Sequence, residues 1–179
     1  MTHPLLEHAR RVVQSHLNGQ NWRRDWTGEF TRPSRGCFVS LKVNGRLRGC
    51  IGTILPVQKT LEEEIADNAV AAATRDHRFP ALKPAELMDT RFSIDLLTPP
   101  EPAASKEDLD PKRYGLIVQA DQRCGVLLPD IPGIDSVERQ LEICLEKAGI
   151  AQGEIVAMSR FQVERIPEEG PPSRKRMVI

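Results

Sequence analysis

The hexapeptide Leu47-Arg48-Gly49-Cys50-Ile51-Gly52 contains the residues best suited to chemistry. Cys50 is its one possible nucleophile, and a neighbouring cation lowers the pKa of a thiol and so favours the reactive thiolate. Arg48 stands two residues before Cys50, which on a regular strand places both side chains on one face. Gly49 and Gly52 would let a ligand or another backbone approach closely. The spacing predicts an anion- or carbonyl-binding site, with a packed thiol as the alternative, because free cysteine is often buried.

A second group of candidates follows in the segment Asp76-His77-Arg78-Phe79-Pro80. Arg78 would join Arg48 if this segment folds back onto the hexapeptide. An arginine on an otherwise apolar strand face needs a carboxylate or carbonyl partner. We therefore consider two roles for these arginines: pairing with Asp76 or Asp95 to hold the structure together, or binding a small anionic ligand.

A β-hairpin is predicted to position the hexapeptide. Residues 37 to 43 alternate between two faces, as in a half-buried strand, and Asn44-Gly45 is typical of a two-residue turn before a returning strand at 46 to 54. A regular register pairs Val43 with Arg46, Leu41 with Arg48, Val39 with Cys50 and Cys37 with Gly52. Cys37, Arg48 and Cys50 would then share one face. There the two thiols could form a redox couple, although ordinary free thiols are favoured, and a bulge at Gly49 would break the register.

The remaining elements predict an antiparallel α+β fold, because helices and hairpins are segregated along the chain. Helical periodicity and caps indicate three helices: Leu5 to Leu17, a helix capped by Thr60 with Glu63, and a helix capped by Ser136 that buries Cys144. Other predicted elements are a short helical turn at 84–87, a strand at 91–98, a polar loop at 101–112, a hairpin of 114–120 with 124–128, and one strand at 155–165.

Composition excludes several classes of protein. The chain has 179 residues, with 25 Lys and Arg balanced by 25 Asp and Glu, so net charge gives no reason to expect nucleic-acid binding. No apolar run approaches the ~20 residues that span a bilayer, and no secretory signal is evident, so we expect a cytoplasmic protein with free thiols. The four cysteines and the histidines lack zinc-site spacing. We expect no metal and no cofactor.

The segment from 20 to 35 combines two tryptophans with several arginines. Arginines and aromatic rings together can stack on bases, which makes RNA binding through Arg23, Arg24, Arg32 and Arg35 one hypothesis. Trp and Arg are also enriched at protein-binding hot spots, so Trp22 and Trp26 could instead dock a partner. In the third interpretation, the tryptophans simply fix this loop onto the fold.

The hexapeptide and its surroundings resemble the AMMECR family, of which this LRGCIG sequence is the hallmark. Further matches are Gly36 to Lys42, Asn68 to Ala73, Asp76 with Arg78-Phe79-Pro80, Ser93, Tyr114-Gly115, Gly125 to Pro129 and Ala148-Gly149-Ile150. The resemblance covers roughly residues 5 to 165. It identifies residues 1–166 as a single AMMECR domain with two sub-lobes, followed at 167–179 by a tail that we expect to be disordered.

The resemblance implies an α+β fold of two unequal lobes, with the hexapeptide near a cleft between them. It adds Ser93 to Arg48, Gly49, Gly52 and Arg78 as candidate ligand-binding residues. It also implies a Memo-like protein and a radical SAM enzyme as partners in a modification pathway, and no reaction is established for the family. His77 is a general base by type, but relatives often carry proline there, so Asp76 or a water is the better candidate beside Cys50. A cysteine-dependent enzyme or enzyme subunit and a non-catalytic interaction module both remain open.

Overall fold

The computed structural model of the protein describes residues 3–25 and 32–168. Its chain divides into two compact units, one of Met1–Leu96 with Arg165–Ile179 and the other of Leu97–Glu164. Each unit contains one four-stranded sheet and its own hydrophobic core. The predicted α+β fold is therefore confirmed, whereas the predicted cleft stays a prediction.

The first unit combines four strands with two long helices. Its elements are α1 (Pro4–Leu17), the short α2 (Trp22–Asp25), β1 (Cys37–Val43), β2 (Arg46–Thr53), α3 (Leu61–Thr74), a 3₁₀ helix (Pro84–Asp89), β3 (Thr90–Leu97) and β8 (Val163–Pro167). The strand order is β2-β1-β3-β8. Helix α3 begins where the hydroxyl of Thr60 accepts a hydrogen bond from the Glu63 N–H, as its capping sequence predicts.

One face of this sheet packs against the helices. The alternate residues Cys37, Val39 and Leu41 of β1 are fully buried there with Ile65 and Ala69 of α3. The small side chains of α3 let its backbone come close to the sheet, and this approach determines which residues β2 can carry on that face.

The second unit combines four strands with one α-helix. Its elements are β4 (Glu101–Ala103), a 3₁₀ helix (Lys106–Asp108), β5 (Gly115–Ala120), β6 (Arg123–Leu127), α4 (Val137–Ala148) and β7 (Ala157–Phe161), with strand order β4-β7-β5-β6. Ser136 caps α4, and Gly149 ends it in the left-handed conformation, as predicted. Cys144 is buried in this core, also as predicted.

Two predictions about the later strands are wrong. The loop predicted at 101–112 contains β4, which pairs with β7. The strand predicted at 155–165 is two strands in different sheets, interrupted at Gln162, whose backbone forms hydrogen bonds with Thr98 instead of continuing a ladder. Alternation alone could not show this interruption, because the period of the side chains does not indicate which sheet a strand joins.

The start of the predicted tail is held in place. Pro167 ends β8, and the Glu168 carboxylate accepts hydrogen bonds from Arg10 at 3.0 Å and from the Phe92 N–H at 2.8 Å. The rest of the predicted tail, residues 169–179, lies outside the described residues.

Candidate functional site

The β1–β2 hairpin turns at Asn44 and Gly45, both with positive φ, as its sequence predicts. Val43 pairs with Arg46 as expected, but the predicted register is wrong beyond a bulge: Lys42 pairs with Leu47 and Leu41 with Gly49. Arg48 is the extra residue. The remaining observed pairs are Ser40 with Cys50, Val39 with Ile51 and Cys37 with Thr53.

The bulge places Cys50 on the face opposite Cys37. Directly paired residues share a face of an antiparallel sheet, so Cys50 lies on the face of Ser40, away from the helices. The Ser40 hydroxyl donates a hydrogen bond to the Cys50 sulfur at 3.1 Å. Ser40 also pairs with Ser93 of β3. Cys50, Ser40 and Ser93 therefore form a half-buried polar row across three strands.

The four cysteines differ in environment, and all are free thiols. Burial raises the pKa of Cys37 to about 12, and burial likewise raises the pKa of Cys144 to about 12, so both are poor nucleophiles at neutral pH. Cys124 is exposed and Cys50 is half-buried. A redox couple of Cys37 with Cys50 is excluded, since the two side chains lie on opposite faces of the sheet.

The Arg48 guanidinium forms its hydrogen bonds with groups of the protein itself. Its guanidinium donates to both carboxylate oxygens of Glu86, at 3.0 and 3.1 Å, and to the carbonyl oxygens of Pro80 at 2.6 Å and Ala81 at 3.3 Å. Only 15% of the side chain is exposed. The expected pairing with Asp76 or Asp95 is wrong for Arg48, because the bulge directs it to the 3₁₀ helix.

Asp76 and Arg78 together bind the backbone of Cys50. Asp76 accepts from the Cys50 N–H at 2.9 Å, and Arg78 donates to the Cys50 carbonyl at 3.2 Å. The two side chains also form an ion pair at 2.7 Å. The hydrogen bonds from Arg78, despite the opposing effect of desolvation, hold the pKa of the Asp76 carboxyl well below its usual range. A buried carboxylate that holds protons so weakly is a poor general base.

The two glycines of the hexapeptide make room for protein atoms. A Cβ at Gly49 would collide with the carbonyl oxygen of Ala72 in α3, and a Cβ at Gly52 would collide with the Phe38 ring. The space that we expected a ligand to use is therefore occupied. His77 is exposed beside the site.

Two residues that sequence reasoning missed border the polar row. Lys42 of β1 and Arg91 of β3 are directly paired on the same sheet face, two residues along from Ser40 and Ser93, and both are exposed. Like charges in this position repel each other. Arg91 has a distant ion pair with Glu168 at 3.9 Å. Alternation within each strand places Lys42 on the face of Ser40 and Arg91 on the face of Ser93. That the two basic residues are neighbours follows only from the pairing of β1 with β3.

Two arginines of the segment from 20 to 35 form ion pairs with glutamates. Arg23 pairs with Glu63 at 2.6 Å, and Arg32 pairs with Glu62 at 3.4 Å. Trp22 packs edge-to-face on His8, which agrees with a tryptophan that fixes the chain onto the fold. Trp26 and the Arg24 side chain lie outside the described part of the structure.

Across residues 3–25 and 32–168, no group of three or more His, Cys, Asp or Glu side chains could hold a metal ion. None of the helices described in those ranges is long and apolar enough to cross a bilayer.

Comparison with known proteins identifies the family. The family model described as AMMECR1 matches residues 6–166, which include the whole hexapeptide site. The chain belongs to the AMMECR1 family. A Thermotoga maritima protein is 47% identical over 168 residues, covering 91% of this chain and 97% of its own length. A Clostridium acetobutylicum protein is 49% identical over 142 residues, which are 79% of this chain but only 30% of that longer protein.

The AMMECR1 fold is also found in a solved structure. The crystal structure of an uncharacterized protein from Pyrococcus horikoshii has a TM-score of 0.76 and 27% sequence identity, covering 90% of this chain and 88% of that one. These relatives support the family and the fold, and their names assign no reaction.

Proposed function

We propose that this AMMECR1-family protein has a cysteine-centred ligand or active site on the polar face of β1, β2 and β3. It would act as an enzyme or enzyme subunit in a modification pathway. The observation that carries the proposal is the hydrogen bond from the Ser40 hydroxyl to the half-buried Cys50 sulfur. This hydrogen bond orients the sulfur within the polar row that Ser40 forms with Ser93.

The surroundings of Cys50 suit nucleophilic chemistry. Asp76 and Arg78 fix its backbone on both sides, so the sulfur is held by rigid elements. The hydrogen bond with Asp76 is the largest cause that raises the pKa of Arg78, and a smaller electrostatic effect of Cys50 acts in the same direction. In this proposal the thiol loses its proton to solvent. The thiolate then forms a bond to an electrophilic carbon of the substrate and displaces a leaving group, which departs with its bonding electron pair.

The ligand of this site would be a small anion. Arg48 and Arg78 were the expected anion-binding residues, but both already have carboxylate partners. Lys42 and Arg91 fit the role better, because a bound anion would relieve their mutual repulsion at a position adjacent to Ser40 and Ser93. Arg91 also has a carboxylate neighbour, Glu168, but at 3.9 Å this contact is longer than those of Arg48 and Arg78.

Alkylation of Cys50 by two reagents of different charge tests both parts of the proposal. Iodoacetate is anionic and iodoacetamide is neutral, and mass spectrometry gives the rate of each at Cys50. We expect Lys42→Gln with Arg91→Gln to slow iodoacetate about 3- to 10-fold at low salt and to leave iodoacetamide nearly unchanged. The control variant Lys59→Gln, at an exposed lysine, should change neither rate.

The two parts fail in different ways. A Cys50 that reacts with neither reagent in the folded protein would remove the cysteine-centred site. Equal effects of the double variant on both reagents would leave the thiol site but remove the anionic ligand.

A Memo-like protein and a radical SAM enzyme are the proposed partners. The Clostridium acetobutylicum relative supports a partner in general, because its matching part is 30% of a longer polypeptide. Co-purification of the tagged protein with each candidate partner from a strain that encodes both tests the proposal. Failure of both to co-purify, even after cross-linking, would oppose a physical complex.

A non-catalytic interaction module is the second candidate function. The loop between β2 and α3 exposes Leu55 and Val57, with 65% and 74% of their surfaces accessible. Glu64 makes this loop rigid by accepting hydrogen bonds from the N–H groups of Val57 at 2.8 Å and Gln58 at 2.7 Å. Rigid exposed apolar residues suit a docking surface. Leu55→Asp with Val57→Asp should abolish partner binding while the alkylation of Cys50 stays unchanged.

A further inference from the structure

The second unit contains a small cavity, and none of the residues that line it belongs to the site around Cys50. Its volume is about 120 Å³. It is lined by residues of β4 and β7 and of the segments that adjoin β4, β5 and β7: Thr98, Glu101, Tyr114, Arg160, Phe161 and Gln162. Both aromatic and charged groups are present, which is typical of sites that bind small polar molecules.

Arg160 is held firmly at this cavity. It lies on β7, where it pairs with Glu101 of β4 on one side and with Leu116 of β5 on the other. Its guanidinium stacks on the Tyr114 ring at 4.4 Å from the ring centroid, and one terminal nitrogen donates to the Asp108 carbonyl at 2.6 Å. These contacts fix the plane of the guanidinium.

The Nε of Arg160 lacks a hydrogen-bond partner. It is buried, and no described residue accepts from it. The nearest carboxylate oxygen belongs to Glu101 at 3.6 Å, which is an ion-pair distance and too long for a hydrogen bond. Glu101 is largely in solvent, with 68% of its side chain exposed. A buried donor without an acceptor is unfavourable, so an acceptor that reaches this nitrogen would be stabilised there.

We propose that this cavity binds a small carboxylate. Nε and the second terminal nitrogen form the edge of the guanidinium that matches the two oxygens of a carboxylate. Phe161 and Tyr114 provide an apolar wall for the short carbon chain of the ligand. The exposed Glu101 carboxylate already lies 3.6 Å from the Arg160 Nε, on the side where the ligand carboxylate would bind. Glu101 therefore competes with the ligand and would have to move aside.

Titration with propionate tests this site. NMR signals of the Arg160 Nε–H and of the backbone amides of Phe161 and Gln162 monitor the binding. We expect saturable shifts for the unaltered protein. Glu101→Gln should bind propionate about 3- to 10-fold more tightly, because it removes a competing charge. Arg113→Gln is the matched control and should bind normally, since Arg113 contacts the Tyr114 ring at 5.1 Å but does not line the cavity.

Two results separate recognition from a structural role. Arg160→Lys keeps the charge but lacks the planar two-nitrogen edge, so it should lose propionate binding while the amide spectrum shows an intact fold. Propionate binding by Arg160→Lys at the original affinity would overturn the proposal. So would the absence of saturable shifts in the unaltered protein, weaker binding by Glu101→Gln, or tighter binding of inorganic phosphate than of propionate.

Discussion

The carboxylate of Asp76 accepts a hydrogen bond from the backbone N–H of Cys50, with 2.9 Å between the two atoms. Arg78, the ion-pair partner of Asp76, donates in turn to the Cys50 carbonyl. β2 is an edge strand, and edge strands present unpaired backbone groups to solvent or to other chains. This side-chain pair therefore completes the backbone hydrogen bonding of β2 at Cys50, the one possible nucleophile of the hexapeptide.

Asp76→Asn should lower the free energy of unfolding by about 1–3 kcal/mol at neutral pH, because several hydrogen bonds to the carboxylate weaken. The folded pKa of Asp76 lies below its unfolded value, so its contribution is present above about pH 4 and declines as the pH falls further. Urea unfolding from pH 7 to pH 2 should show a smaller loss of stability below pH 4 in the variant. Parallel curves for both proteins would contradict this role of Asp76.

Ser40→Ala should slow the alkylation of Cys50 by iodoacetamide about 3- to 10-fold near neutral pH, because the variant loses the hydrogen bond to sulfur. Ser93→Ala is the matched control, as it lies in the same row without a hydrogen bond to Cys50. Cys124 should react readily in all three proteins, whereas Cys37 and Cys144 should not react until the protein unfolds. An unchanged Cys50 rate in Ser40→Ala would show that this hydrogen bond has no effect on the thiol.

Gly49→Ala and Gly52→Ala should both destabilise the protein, by about 1–3 kcal/mol each, because each added methyl overlaps existing atoms. The two substitutions differ in whether a second substitution can restore the lost stability. The obstacle at Gly52 is the Phe38 side chain, so Phe38→Ala should reduce the additional loss caused by Gly52→Ala. The obstacle at Gly49 is the backbone of α3, which no side-chain change removes. Chemical denaturation of the single and double variants measures the difference, and full stability of Gly49→Ala would contradict the close approach of α3.

His8→Gln should weaken the pH dependence of stability below about pH 6.5. Burial lowers the pKa of His8, so the unfolded chain takes up a proton before the folded protein does, and stability falls as the pH drops below about 6.5. The slope from this one group is at most about 1.4 kcal/mol per pH unit. Tryptophan fluorescence follows the unfolding, and His16→Gln, at an exposed histidine, should retain the slope of the unaltered protein.

Arg48→Ala and Glu86→Ala should be strongly non-additive in stability, with a coupling energy of about 0.5–3 kcal/mol, because the two side chains share a two-point ion pair. Arg48→Lys should recover only part of the loss, since lysine lacks the planar donors. Additive effects of the two substitutions would mean that the pair contributes little and would reopen a ligand-binding role for Arg48.

Local sequence patterns predicted most of the elements around the site. The alternation of residues 37 to 43 with Asn44-Gly45 specified the hairpin, because turn chemistry acts over a few residues. The cap at Thr60 specified the start of α3 for the same reason. The hexapeptide, together with its neighbours, was also sufficient to indicate the family.

The side-chain partners could not be predicted in the same way. Arg48 was expected beside Asp76 or Asp95 and instead binds Glu86, 38 residues away in the chain. Such pairings depend on how the segments after α3 pack against β2, and no local period encodes that packing.

The sequence by itself determined the β1–β2 hairpin with its tight turn, the capped helix ends at Thr60 and Ser136, and the presence of a thiol between glycines, because these follow from backbone preferences and short-range periodicity. The tertiary structure decided which face carries Cys50. The single extra residue at Arg48 shifts the register by one, and in a strand of period two this exchanges the faces of all the residues that follow. The close approach of α3 at Gly49 then leaves the Cys50 sulfur beside Ser40 rather than beside Cys37.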